Sequence, residues 1–368
     1  MNQDRQKAER YLNASTRQLI WWRYKKHALA MVGLIALAAM YVNAALCEFF
    51  APYGKVTRHA CYVYAPPTPI HIFDKEGKLH RPFVYARSLE CDLENCQMRY
   101  EEDQSKKYPI LFFVRGESYV FWDLWKSDLH LFGVEEPAAI NLFGTDRMGR
   151  DMFSRCLYGS RISLSIGMVG VSLSLALGLI LGGISGYAGG WPDGIIQRLI
   201  EIIRCFPSIP LWMGLAAAMP PHWPPLKVYV AITIILSLVG WTDLARVVRG
   251  KLIALREEDF VMAARFAGAG HARIIFRHLL PSFTSHIIVT ITLAIPSMVL
   301  AETALSFLGI GLQPPVTSLG VLLKEAQNVT TIALYPWLLI PVLFVILIVL
   351  SFNFVGDGLR DAVDPYSR

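Results

Sequence analysis

Charge is what this chain has least of. Asp, Glu, Lys and Arg make up 17% of its 368 residues, where a typical soluble domain carries about 25%. Hydrophobic residues make up 54%, and the mean hydropathy is +0.40. The shortage excludes an ordinary soluble domain and puts the chain in the membrane class. A net charge of +6 is modest. Nucleic-acid binders cluster their basic residues on one face, whereas here they sit mostly at the ends of apolar runs. Motifs for chemistry are lacking too. His27, His222, His271, His278 and His286 show no HExxH spacing, and there is no G-x-S-x-G. Gly250–Lys251 is followed by Leu252, so no nucleotide P-loop is present. The expectation is a non-enzyme with no catalytic, cofactor-binding or metal-binding residues of its own.

Long apolar runs are what the chain does have. Ala28–Cys47 is uncharged over about the 20 residues a helix needs to cross hydrocarbon. Its polar lead is too long for a signal peptide, and no small-residue cleavage site follows. Five further runs are Ile162–Tyr187, Ile195–Met219 (broken by Pro207 and Pro210), Val228–Val248, Ser285–Leu308 and Tyr335–Val355. Open sheets cannot satisfy their backbone in lipid, so the reading is an all-α polytopic membrane protein with six transmembrane helices. Short-loop Lys and Arg are concentrated in the N-terminal leader and in 246–277, while Pro220–Lys227 and Gly311–Leu334 carry one each. The positive-inside rule then puts both termini in the cytoplasm. The predicted organisation is a cytoplasmic segment 1–27, a first helix 28–50, an extracytoplasmic insert 51–140, a core 141–357 and a cytoplasmic tail 358–368.

The insert is expected to be small and β-rich. "IHIFDKEGKLHRPFVY" reads as a hairpin around Asp74–Gly77, and "YPILFFVRGESYVFW" as a second around Arg115–Gly116. Cys61, Cys91 and Cys96 all fall here, where an oxidising exterior permits a disulfide. Cys91–Cys96 is the local pairing, Cys61 with either is the alternative, and three free thiols remain open. Cys47, Cys156 and Cys205 read as packing residues in or beside spans. After the insert, Asp146 and Asp151 invite a carboxylate-pair reading. The structural reading is stronger: Asp146 caps a short interfacial helix, and Asp151 pairs with the arginines around it at helical spacing.

Within the spans, Gly178, Gly182 and Gly186 share one helix face and predict close helix packing, in the bundle or with a second subunit. Asp243, Arg246 and Arg249 suggest ion pairing along one helix end. Glu302 is either a pore-lining group or a structural acceptor for backbone amides at the "SFLGIG" turn. The stretch "EEDFVMAARFAGAGHARIIFRHLLP", Glu257–Pro281, is neither span nor loop. Asp259–Ala267 favours helix, Gly268 and Gly270 break it, and helix resumes near His271. Ala263 and Ala264 permit close approach of a partner, and Phe260 and Phe266 can anchor in an apolar groove. An amphipathic loop resting on headgroups is the rival.

These residues resemble the coupling motif of permease subunits in binding-protein-dependent ABC importers. That pattern is Glu-Ala-Ala, three residues, Gly, nine residues, Ile-x-Leu-Pro. Here it reads Met262-Ala263-Ala264, Gly268, then His278-Leu279-Leu280-Pro281, so Met262 and His278 depart from it. "FGTDRMGRDMFSR", "YGSRISLSIG", "GYAGGWPD", "ETALSFLGIGL" and "DGLRDAVDP" narrow the resemblance to the C-type subunit of dipeptide/oligopeptide permeases. The likeness covers roughly Leu142–Pro365 and the first span. It implies a bacterial inner-membrane protein paired with a second homologous permease and one or two cytoplasmic ATPases, which bind ATP and Mg. It also implies an external solute-binding protein that delivers peptides, or else oligosaccharides, opines or another small solute. Phe260, Ala263, Ala264, Arg265, Gly268 and Pro281 would carry the ATPase contact, membrane lipid would surround the chain, and no nucleic acid is implied. The rival function is an ion-coupled carrier using Glu302. A third is a receptor working through the insert.

Overall fold

The computed structural model describes residues 15–363 except 75, 93–96, 123 and 221, and the side chains of these except at 16, 17, 90–92, 97–99, 272 and 276. The main helices are α1 (Thr16–Lys26), α2 (Ala28–Ala45), α3 (Met152–Ala188), α4 (Gly190–Cys205), α5 (Ser208–Ala217), α6 (Pro225–Leu255), α7 (Asp259–Phe266), α8 (Thr284–Phe307), α9 (Leu319–Lys324) and α10 (Ile340–Val363), with shorter turns of helix between some of them. Among the described residues α2, α3, α6, α8 and α10 are long and apolar enough to cross a membrane. The pair α4–α5 adds a sixth if its two limbs, bent by 88°, count as one span. The bend falls at Pro207. Phe206 before it is extended (φ −88°, ψ 135°), as the proline ring demands of its predecessor. Pro210 does not break the chain. It lies in the first turn of α5, where no amide donor is needed. The chain divides into two compact units: Met1–Ala39, Ser165–Glu302 and Ile346–Arg368 in one, Met40–Leu164 and Thr303–Val345 in the other.

In the first unit α3 and α6 are joined through backbone-close contacts. A Cβ added at Gly182 would stand 2.6 Å from the carbonyl oxygen of Ala245, and one at Gly186 2.8 Å from that of Arg249. At Gly178 it would meet the Leu244 side chain at 2.9 Å. Ser237 Oγ donates to Gly170 O (2.9 Å) across the same pair. Leu244, Val248 and Leu252 of α6 then pack with Val261, Ile274, Leu279, Phe283 and Ile287 into one buried cluster. At the N-terminal end, Ser15 and Gln18 form a reciprocal cap on α1, and Tyr24 Oη donates to Ala30 O at 3.0 Å.

The second unit holds the strands. β1 (His71–Phe73), β2 (Leu79–Asp92) and β3 (Gln97–Pro109) form an antiparallel sheet in that order, and β4 (Leu111–Phe121) pairs with β5 (Trp125–Gly133). Gly77 takes φ +74° in the β1–β2 turn. The second hairpin differs from the sequence reading. Arg115–Gly116 lies inside β4, and the chain reverses between Phe121 and Trp125. Gly116 instead accommodates a neighbour: the register shifts between Arg115 and Tyr119, and a Cβ at 116 would meet the His130 ring at 2.9 Å. A glycine inside a strand marks such a bulge and close approach as readily as it marks a turn. Cys96 and the Cys91 side chain lie outside the described residues, so the proposed pairing does too. Cys61 is an exposed free thiol, Cys47 and Cys156 are buried, and Cys205 is exposed rather than packed.

Candidate functional site

The Glu257–Pro281 segment is built from its helix ends. Glu258 is extended (φ −70°, ψ 148°) and opens α7. The helix stops at Gly268, which takes φ +77°. Gly268 N donates to Arg265 O (2.9 Å) and Ala269 N to Ala264 O (3.0 Å), the paired bonds of a Schellman stop that favours glycine at the left-handed position. Val261 is fully buried and Ala264 packs on the same core. Phe260 (43% exposed), Met262 (37%) and Phe266 (86%) are not buried by the chain, and Ala263 and Arg265 are exposed beside them. One face of a two-turn helix is thus tied to the core while the other offers aromatic and small residues outward. Arg265 lies 5.6 Å over the ring of Tyr187 at the end of α3, and Tyr187 Oη is 2.9 Å from His271 Nδ1.

Beyond Gly270 the helix resumes at His271 and widens into π turns over Ile274–Leu279. Pro281 follows one residue beyond, after Leu280. A proline ring crowds the carbonyl four residues earlier, here that of Arg277, and the wide turns make room for it. His278 is half-buried, and Ile274 and Leu279 point inward.

Asp243 and Arg249 of α6 find partners on other helices rather than along their own. Arg249 forks onto Asp193 of α4 with two 2.6 Å bonds, and Asp243 pairs with Arg204. A cavity of about 340 Å³ lies in this unit, lined by Ser174, Trp212, Asp243, Thr290, Ser297 and Met298 among others. Glu302, near the end of α8, is 0% exposed.

The second unit contains a cluster the sequence reading missed. Asp146 is fully buried. Its Oδ1 accepts from the amides of Met148 (2.8 Å) and Arg150 (3.0 Å). Its Oδ2 accepts from Arg150 Nε (2.6 Å) and from Arg155. Glu325, far along the chain, stands 3.3 Å from Arg150 and 3.8 Å from Arg155, and burial raises its pKa. The expected roles of the two aspartates are therefore corrected. Asp146, not Asp151, holds the arginines. Asp151 caps α3, accepting from Ser154 N at 2.7 Å, and burial pushes its carboxyl up to about 7. The expected short interfacial helix is absent: residues 144–151 form a turn and a Thr145–Asp151 bridge before α3 begins. Asp146 has four donors on its two oxygens and no exposure, so it braces a turn and reaches no substrate. The signal for its role, two arginines four and nine residues on, was present, but Glu325 is joined only by tertiary structure. Among the described residues, no group of three or more His, Cys, Asp and Glu could hold a metal ion.

Residues 178–368 match the family model described as "Binding-protein-dependent transport system inner membrane component". Residues 15–67 match that of the "N-terminal TM domain of oligopeptide transport permease C". The dipeptide transport system permease protein DppC of Alkalihalophilus pseudofirmus is 42% identical over 233 residues, 63% of this chain and 74% of the relative. The oligopeptide transport system permease protein OppC of Bacillus subtilis is 38% identical over 233 residues, again 63% and 74%. A looser likeness, 18% identical with a TM-score of 0.45, links 59% of this chain to all of a chain in inward-facing MetNI methionine ABC transporter structures.

Proposed function

The chain belongs to the binding-protein-dependent transport inner membrane components, as a multi-pass peptide permease subunit of the C type, and on that premise we propose that it forms half of the pore of an ATP-driven importer of di- and oligopeptides. A second permease supplies the other half, and an external binding protein delivers the solute. One or two cytoplasmic ATPases, carrying ATP and Mg, drive the cycle through residues 257–281, while this chain is non-catalytic and holds no cofactor itself. In this reading residues 1–27 and 358–368 face the cytoplasm, 51–140 is an extracytoplasmic insert and 141–357 is the permease core. The relatives' names speak for peptides.

The observation that carries the coupling role is α7. Val261 and Ala264 fasten it to the core shared with α6, while Phe260, Ala263 and Phe266 remain exposed. A short helix offering aromatic anchors and small residues suits a groove on a partner. Movement of such a partner would pass to α6 through Val261, turning the pore between inward- and outward-facing states as a rigid body. Glu302, with no exposed surface, fits a structural acceptor better than an ion-coupling group.

Gly268 is the place to test this. Among the described residues, no atom beyond its own chain neighbours lies within 4 Å of where its Cβ would be, so a side chain there crowds none of them. Aspartate tolerates the left-handed region at a cost of about 1–2 kcal/mol or less. Gly268→Asp is expected to insert normally and to purify with its partners, while peptide uptake is lost and ATP hydrolysis persists. Normal uptake by that variant, or purification of the wild-type chain in a mild detergent without any ATPase, would sink the lever role.

A further inference from the structure

The β4–β5 hairpin carries several exposed large aromatic side chains. At its tip Trp122 is 53% exposed, Leu124 72% and Trp125 58%, and near its open end Phe113 is 64% exposed. The tip is attached to a defined place. Trp122 Nε1 donates to Ala45 O at 2.9 Å, and Ala45 is the last residue of α2. The Arg161 guanidinium lies 4.6 Å over the same indole and donates to Ala44 O (2.5 Å) and Ala45 O (3.2 Å). The Phe113 ring sits 6.2 Å from Phe49, just past that helix end.

These contacts set a height. α2 has 18 residues, about 27 Å at a rise of ~1.5 Å each, close to the ~30 Å of a hydrocarbon core. Ala45 therefore stands where hydrocarbon gives way to headgroups, and the Glu48–Arg161 ion pair follows immediately. The last carbonyls of a helix need donors, and Trp122 and Arg161 supply them. An indole with its N–H bonded and its body exposed at this level matches the aromatic belts of membrane proteins. Exposed surface continues onto α2 itself, where Val42 is 51% exposed, and Lys126, a cation suited to lipid phosphates, is exposed next to Trp125.

We propose that the hairpin tip, Trp122, Leu124 and Trp125, is a membrane-interface anchor that contacts phospholipid in the leaflet where α2 ends. The insert is thereby held against the bilayer at its own span. This is independent of which solute the chain carries, because the test reads lipid contact whether or not peptides are imported. A photoreactive benzophenone amino acid is placed at Leu124 or at Trp125 of the full chain in its native membrane. A third version carries it at Phe73, equally exposed at 64% but on the other sheet. After illumination, mass spectrometry of the purified chain is expected to find phospholipid adducts at 124 and 125 and several-fold fewer at 73. Adducts to a polypeptide, whether another subunit or a second copy, would overturn the proposal, as would lipid adducts no more frequent than at 73. As a second readout, the Trp122→Phe, Trp125→Phe double variant in nanodiscs is expected to lose part of the tryptophan emission that headgroup-level nitroxide lipids quench. An unchanged quenchable fraction would count against lipid contact.

Discussion

Asp146 and Asp151 flank one tight turn, and their surroundings assign them opposite electrostatic roles. Asp146 offers both oxygens to two guanidiniums and two amides. Such a charge is stable in the interior because every lone pair is occupied. Asp151 has one oxygen on the Ser154 amide, and its other, buried, oxygen has no hydrogen-bond partner among the described residues. Burial then favours the proton, which is why its pKa rises to about 7 from 3.8. An acid that binds its proton more tightly when folded contributes stability that is complete below its unfolded pKa and is lost as pH rises through the folded one. That window runs from about pH 4 to about pH 7. Asp151→Asn keeps a capping oxygen and cannot ionise. Its thermal stability in detergent is expected to gain on the wild type by up to a few kcal/mol as pH rises through the window, then to hold level. A difference that stays constant with pH would mean that Asp151 ionises freely.

At the level of helices and strands, neighbouring glycines on α3 make a controlled comparison. Gly182 lies against the backbone of Ala245, whereas among the described residues, its own helix backbone aside, Gly183 has nothing within 4 Å of an added Cβ. Overpacking a close contact costs about 1–3 kcal/mol, while replacing an uncrowded helical glycine with alanine gains roughly 1 kcal/mol of helix propensity. Gly182→Ala is expected to lower the unfolding temperature in detergent and Gly183→Ala to leave it unchanged or raise it. Equal effects would show that the α3–α6 contact yields without cost. Helix periodicity marks the 178–182–186 face, but only the fold says that α6 is the neighbour. Strand register was less legible. Gly116 looked like a turn because nothing local distinguishes a glycine that reverses the chain from one that clears space for His130. The stop at Gly268 was legible, because helix formers before it and glycines after it act locally.

For the molecule as a whole, orientation is the property most open to direct test. The Lys and Arg distribution predicts that the 51–140 insert lies outside the cytoplasm, and that insert carries Cys61 as an exposed free thiol. A membrane-impermeant maleimide added to intact spheroplasts is expected to label wild-type chain and not Cys61→Ser at that position. Labelling of Cys61 only after permeabilisation would reverse the topology. The same arrangement would leave α7 on the cytoplasmic side, within reach of soluble partners.

The sequence by itself determined the membrane class, five of the long apolar helices and the family, because each rests on local quantities: run length, charge deficit and motif spacing. It also placed the helix, break and resumed helix around Gly268, which backbone propensity dictates. Tertiary structure alone decided which aspartate is braced by arginines and which stays proton-rich, since burial and the approach of Glu325 from nearly two hundred residues away set that. It alone decided that the second hairpin turns at its aromatic tip, and that Trp122 meets the end of the first span. Those outcomes depend on which surfaces exclude water together, and no short stretch of sequence carries that information.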